Sequence, residues 1–399
     1  MAVLQDLPVE LLQGIFAFVQ TEGPPTTLIA CSAVSWWWRD IVLPQLFSTF
    51  NTRRTESFKD VVHFLSTHPH IAACVKHLRL GRTGCICTLS DLRKPRPNPE
   101  VDHQTAHALL KCLPALQYLS FDCVRFVVTP NTNALAEDCI RPYRLRWVSL
   151  DRCVIGADPT PLFRILSLCD IGTFQVTCTE FPNEAGLQAE TLHRTLRMQR
   201  LWLPELHSQW KTGRLMRALQ RRLEPGCVRG LSIVCDNRQS LENTGALLRV
   251  VGRDLTSLKL RLSPGVPHTS RKWWASLNLS SCTALETFHL LPFISMTDRT
   301  GMPPGGVCAD IARSLAPSVR TIILQLYAEE GGPKGGDNFE LGKLDDVVMK
   351  NKQKRLPELD RVTLRFAFCK DAFEAWSAAS RKAMPGLDGA GILHVSRDG

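Results

Sequence analysis

The chain has 399 residues, with 48 Lys and Arg against 38 Asp and Glu for a formal charge of +10. Hydrophobic residues make up 44% and charged residues 22%, ordinary globular usage that excludes long disorder, collagen and low-complexity polymers. No run of about 18 uncharged apolar residues occurs, so no membrane-spanning helix is expected. Residues 1–14 carry Asp6 and Glu10 with no basic stretch ahead of an apolar one, which does not read as a secretory signal.

Leu7-Pro8-Val9-Glu10-Leu11 predicts a helix start, with Asp6 as N-cap, Pro8 in the first turn and Glu10 near the positive end of the dipole. Leu7, Leu11, Ile15 and Val19 recur every four residues, and Leu12 and Phe16 widen that stripe enough to pack on both sides. Gly23-Pro24-Pro25 breaks the chain, after which Thr26 and Thr27 can cap a second helix carrying Leu28, Cys31 and Val34. A third helix from Trp36 carries Trp38, Ile41 and Val42 and stops around Pro44 to Phe47. Three short helices cannot bury this much apolar surface among themselves. Either a partner covers it or the helices cap the domain that follows.

Leu7-Pro8-x-Glu10-Leu11-x-x-x-Ile15-Phe16 followed by Leu28-x-x-Cys31-Ser32-x-Val34-x-x-x-Trp38-Arg39-x-Ile41 resembles an F-box. The resemblance covers roughly residues 5–50; Trp36 departs from it, since a basic or polar residue is more usual there. It implies docking on the adaptor subunit of an SCF-type cullin-RING ubiquitin ligase and, through the adaptor, on cullin. It also implies that Leu7, Pro8, Leu11, Ile15, Leu28, Cys31, Val34 and Trp38 form or support the adaptor face.

Beyond residue 50 a Leu-x-x-Leu-x-Leu type triplet begins at Val75, Leu116, Leu145, Ile171, Met198, Val228, Leu255, Leu285, Val319 and Leu359. Six consecutive intervals are 26 to 30 residues, a regularity that chance triplets lack. Helix-like segments precede most triplets, as at 105–113, 161–169, 214–223, 240–252 and 307–315, so each unit reads helix, turn, strand. Ala390-x-x-Leu393-x-Val395 looks like a truncated closing strand. The expected fold is α/β: short all-α F-box helices at 1–50, then an irregular solenoid at 51–399 resembling leucine-rich repeats, about ten of them, with parallel strands and outer helices. An ordinary doubly wound sheet is the alternative. Insertions at 82–102, 293–306 and 328–339 break the period.

The sequence has no Gly-x-Ser-x-Gly elbow, no phosphate-binding loop and no His-Glu-x-x-His, so no catalytic residue and no enzymatic activity are expected. His68, His70, Cys74, His77, Cys85 and Cys87, with His103 and His107 beyond, gather ligand types, yet Cys85-x-Cys87 is too tight for the usual zinc knuckle and Cys74 should point into the core. No metal or cofactor is expected. The 15 cysteines, odd in number and scattered, read as free thiols. Cys123, Cys153, Cys178 and Cys235 are expected just past strands and Cys31, Cys112 and Cys169 on helices, all as small hydrophobes.

If the triplet residues face the core, the alternate residues face outward. Those positions include Tyr118, Trp147 and Trp202, an aromatic strip suited to protein recognition, and Lys259, Arg261, Arg361 and Arg365, a basic end suited to an acidic or phosphorylated segment. These seven are the candidate substrate-binding residues. A one-residue slip would turn every one of them inward. Residues 350–355, Lys-Asn-Lys-Gln-Lys-Arg, form a localisation-type basic patch, and cytoplasmic or nuclear location is expected without direct nucleic-acid binding. The expected function is a substrate-recognition subunit of such a ligase, binding a protein whose identity the sequence does not encode. A ligase-independent repeat scaffold is the alternative.

Overall fold

The computed structural model describes residues 7–23, 25–52, 57–81, 98–128, 142–156, 158–177, 179, 195–205, 213–263, 274–292, 304–327, 340–367 and 373–397. It is an α/β chain with an N-terminal helical region and large parallel sheet. The chain divides into two compact units, residues 1–172 with 177–196, and residues 173–176 with 197–399.

In the first unit, α1 (Val9–Glu22), α2 (Pro25–Ser32) and α3 (Trp36–Leu46) surround a small core of their own. Leu12, Phe16, Leu28, Ile41 and Val42 are its buried members, and Leu7, Val19, Cys31, Trp38 and Leu46 pack against them. The start of α1 differs from expectation. Pro8 occupies the N-cap with extended ψ 139° and makes no side-chain cap bond, because the extended backbone that a residue before a helix adopts suits proline. The helix ends where the Gly23 amide bonds the Val19 carbonyl. The second helix begins at Pro25, ahead of the expected caps Thr26 and Thr27, since proline's fixed φ suits a first helical turn. Ser35 caps α3 by accepting the Trp38 amide at 3.2 Å.

The strands of this unit are β1 (Thr49–Asn51), β2 (His77–Gly81), β3 (Glu100–Val101), β4 (Tyr118–Asp122), β5 (Arg125–Phe126), β6 (Tyr143–Asp151) and β7 (Val154–Ile155), and β8 (Cys169–Thr177) gives residues to both units. The main sheet runs β1, β2, β4, β6, all parallel, with His77, Tyr118 and Trp147 in one row. A second parallel sheet joins β3, β5 and β7. The chain passes from main to side sheet through Cys123 at φ 54° and Arg152 at φ 50°, a left-handed corner held by amide bonds from Cys123 to Asp151 and from Arg152 to Thr177. At the end of β2 only glycine fits. Gly81 has φ 109°, and a Cβ there would lie 1.9 Å from the Asp122 carbonyl oxygen.

The second unit holds β9 (Arg197–Glu205), β10 (Gly230–Cys235), β11 (Ser257–Leu262), β12 (Thr287–Pro292), β13 (Thr321–Tyr327), β14 (Arg361–Ala367) and β15 (Leu393–Arg397). Each pairs in parallel with the next in chain order. Helices Gly213–Arg222, Arg238–Val251, Pro304–Ala312, Leu341–Lys354 and Phe373–Ala383 fall between strands, as the parallel connection requires. The residue 390–395 remnant is a full strand, β15, which pairs with β14 from Val362–Leu393 to Phe366–Arg397.

The residues of all ten triplets are buried, none more than 6% exposed. At roughly 25 cal/mol per Å² of apolar surface removed from water, each such side chain contributes about 1.5 to 3 kcal/mol. Alternation then turns the intervening residues the other way. Two expectations about cysteines change. Cys169 opens β8 instead of ending a helix, because the Tyr143 amide takes the Leu168 carbonyl and draws the chain into the sheet. Cys74 is half-buried with its thiol on the His70 carbonyl, a helical back-bond that keeps it out of the core.

Candidate interaction surfaces

The eight residues expected on the adaptor face divide by exposure. Leu11 is 57% exposed, Ile15 47% and Val34 67%, and Pro8 is also exposed. Leu7, Cys31 and Trp38 are half-buried, and Leu28 is buried at 3%. Trp38 packs edge-on against Phe16 with ring centroids 5.4 Å apart, so it supports the module from inside. On α1 the two spacings separate cleanly. Leu12 and Phe16 face the core, while Leu11, Ile15 and Phe18, at i, i+4 and i+7, face solvent.

Five further exposed large apolar residues of these helices lie outside the expected set: Val9 at 40%, Phe18 at 67%, Ile29 at 55%, Trp36 at 78% and Trp37 at 37%. The helical period carried the signal for Phe18. Trp36 has the Arg39 guanidinium 5.1 Å from its ring centroid, so the tryptophan that departs from the motif pairs with a motif residue.

The outward face of the first unit has three rows. His77 and Tyr118 stack at 4.2 Å with rings 4° from parallel, and Trp147 lies opposite Tyr118 on β6. In the second row the Ser149 hydroxyl donates to that of Ser120 at 2.9 Å. In the third, Asp122 is fully buried and accepts Arg79 Nη2 at 2.7 Å and Arg152 Nη2 at 3.0 Å, with Asp151 3.1 Å from Arg152. Both Arg79 and Arg152 carry their charge into this cluster, so the buried Asp122 is already neutralised. Tyr118 and Trp147 are therefore brought together, and His77 joins them, a residue whose sequence position alone gave no sign of stacking.

In the second unit Trp202 lies opposite Ser232 and is 38% exposed. Lys259 sits opposite Ser232 on one side and His289 on the other. Arg365 lies opposite Gln325, and Arg361 opposite Thr321. Burial first, then the charges of Lys259 and Arg365, depress the His289 imidazole to about 4. Lys259 and Arg365 thus act on a common group, whereas Arg361 stands exposed at the start of β14. His289 was missed as a site residue, because a lone histidine among outward positions has no distinguishing spacing.

Among the described residues no group of three or more His, Cys, Asp or Glu is placed to hold a metal. His68 stacks on Phe64 at 4.6 Å instead. Cys85, Cys87 and Cys178, the Arg93–Pro97 stretch and residues 328–339 lie outside the described residues. Lys350, Lys352 and Lys354 fall on the helix Leu341–Lys354, and Arg355 just past it bonds the Arg313 carbonyl at 2.9 Å. Burial pushes the thiols of Cys153, Cys169, Cys235 and Cys308 up to about 12, far from a reactive thiolate. No helix among the described residues is long and apolar enough to cross a membrane.

No curated protein matches the chain. Residues 4–53, which span α1, α2, α3 and β1, match the family model described as F-box-like, and this domain supports reading the chain as an F-box protein.

Proposed function

We propose that the chain is a non-enzymatic substrate-recognition subunit of an SCF-type cullin-RING ubiquitin ligase, with residues 1–50 docking on the adaptor and 51–399 forming a leucine-rich-repeat-like solenoid that binds a protein substrate. Cullin is reached through the adaptor, and the work is done in the cytoplasm or nucleus. Rate enhancement is by proximity, holding a substrate lysine near a thioester formed elsewhere.

The observation that carries this reading is the F-box-like match over 4–53 together with Leu11, Ile15 and Val34 held exposed on a module with its own core. Exposed aliphatic side chains on a folded surface mark a place where a partner removes them from water. The outward rows of the sheets, Tyr118 with Trp147 and Lys259 with Arg365, supply a surface for the substrate.

Pull-down of purified adaptor with the full chain tests it. Leu11→Asp with Ile15→Asp should weaken binding at least about 30-fold while leaving the fold intact, because two buried apolar contacts at such a surface are worth about 2 kcal/mol or more. Retained adaptor binding in that variant overturns the docking face. Trp38→Ala is a poorer probe, since Trp38 packs on Phe16 and its loss also loosens the module.

A second reading, a ligase-independent scaffold with the helices as an N-terminal cap, draws on one observation. Ser48, just past α3, accepts the amides of Lys76 and His77, and β1 then extends the sheet. Failure of the wild-type chain to bring down adaptor and cullin, with the sheet domain intact, favours it.

A further inference from the structure

Strand β15 is the last in the order of its sheet, and among the described residues only β14 pairs with it. The Val362 amide donates to the Ile392 carbonyl at 2.9 Å, and the register runs from Val362–Leu393 to Phe366–Arg397. Parallel pairing in that phase turns the backbone of His394 and Ser396 toward β14, and the N–H and C=O of Leu393, Val395 and Arg397 toward the far edge. No turn or loop among the described residues takes up those groups. The segment Leu-His-Val-Ser-Arg carries no proline, no lysine and no bulge, devices by which natural sheets blunt an open edge. The side chains add a second observation. Val362, Leu364 and Phe366 of β14 are fully buried, yet Val395, opposite Leu364 at the end of this apolar row, is only half-buried. A strand that covers the edge must therefore be apolar opposite Val395 and present N–H and C=O groups in the same phase.

We propose that this edge pairs with the same edge of a second copy of the chain, antiparallel, about a two-fold axis through Val395. In that register Val395 meets Val395 of the second copy and Leu393 meets Arg397 of the second copy, and each pair exchanges both of its backbone bonds. His394 then faces Ser396 of the second copy, so no cation lies directly opposite a cation. An axis moved to His394 or to Ser396 leaves Arg397 or Leu393 without a strand residue opposite. The two Val395 side chains join the apolar rows of the two sheets and cover each other. A second copy fits better than a flexible segment because its edge is already ordered on its own β14, which spares the cost of ordering an extended chain. The proposal goes beyond the receptor reading and does not depend on it. An edge of 5 residues buries less than about 1,200 Å², and both chains carry +10, so the pair is weak, with a dissociation constant on the order of 100 µM. In dilute solution the chain is a monomer.

Sedimentation equilibrium of the full chain from about 1 to about 300 µM tests it. The mass should rise from one chain toward two and stop there, and the association should strengthen with added salt, which screens the repulsion between like-charged chains. Val395→Pro removes an outward N–H that β14 does not use, and proline is tolerated there on an edge strand, so the fold should hold while dimerisation weakens at least about tenfold. A second variant leaves the backbone donors in place. Under mild oxidation Val395→Cys should link to itself across the axis, where paired Cα atoms lie about 5.5 Å apart, much faster than His394→Cys, whose copies sit diagonally at roughly 8 Å. Mass spectrometry of the linked peptides separates these bonds from those of the native cysteines. A single-chain mass at about 300 µM overturns the proposal, as does a dimer that survives Val395→Pro or equal linking of the two cysteine variants. Growth past two chains, or association that salt abolishes, overturns it in favour of another contact.

Discussion

At the scale of single residues, buried charge decides most. Asp122 is fully buried, and both of its oxygens are taken by arginines that are about a third exposed. Removing the acid strands Arg79 and Arg152 beside each other, so Asp122→Ala should cost about 2 to 4 kcal/mol, read from denaturant midpoints. His289 gives a pH effect of definite sign. Its folded value is about 4 against an ordinary 6.5. The unfolded chain gains a proton there below about 6.5 while the folded chain does not, so this contribution is full above 6.5 and is lost as pH falls toward 4. The loss should be on the order of 1 kcal/mol once partial exposure is allowed for. Comparing wild type with His289→Asn between pH 7 and 4.5 checks it, since the variant should lose that part of the slope. Neither group was legible as special from the sequence. Strand alternation gives Asp122 and His289 only the rank of positions between triplet residues, and the strand register is what shows which cations reach them.

At the scale of elements, helix α1 shows what periodicity can and cannot decide. The sequence places Leu7, Leu11, Ile15 and Val19 on one stripe widened by Leu12 and Phe16. The structure buries Leu12 and Phe16 and leaves Leu11 and Ile15 out, because α3 arrives on the Phe16 side and packs Trp38 edge-on there. A stripe apolar on both flanks does not say which flank the chain itself will cover. Phe16→Ala should therefore destabilise the module by about 3 kcal/mol or more, whereas Ile15→Ala should change stability by less than about 0.5 kcal/mol and act on adaptor binding alone. Thermal melts beside pull-downs separate the two. The strands were more legible, since a triplet every 26 to 30 residues fixes both which residues are buried and which alternate with them. Helix ends were off by one to three residues, and Cys169 crossed from helix to strand, because the hydrogen bond from Tyr143 to Leu168 is a long-range contact that local pattern does not contain.

At the scale of the whole chain, β1 straddles the expected boundary at residue 50. Ser48 accepts the Lys76 and His77 amides, and Thr52 takes the Arg79 carbonyl with its amide and bonds the Gly81 amide with its hydroxyl. A fragment starting at residue 47 should keep the edge of β2 covered and stay monomeric. One starting at 57 should expose that edge and aggregate, which light scattering would show, because an uncovered strand edge is a template for pairing. The +10 charge is likewise local: arginines 79 and 152 pair with Asp122, while neither Lys259 nor Arg365 forms an ion pair among the described residues. The sealed thiols carry one more consequence. Cys153 lies in the first unit and Cys235 and Cys308 in the second, each buried and held near 12. None can react with an alkylating reagent until its own surroundings open. The rate at which each is trapped in otherwise native protein, read by mass spectrometry, therefore clocks the breathing of its own unit with no label added, and adaptor should slow the trapping of Cys153 wherever docking steadies the first unit.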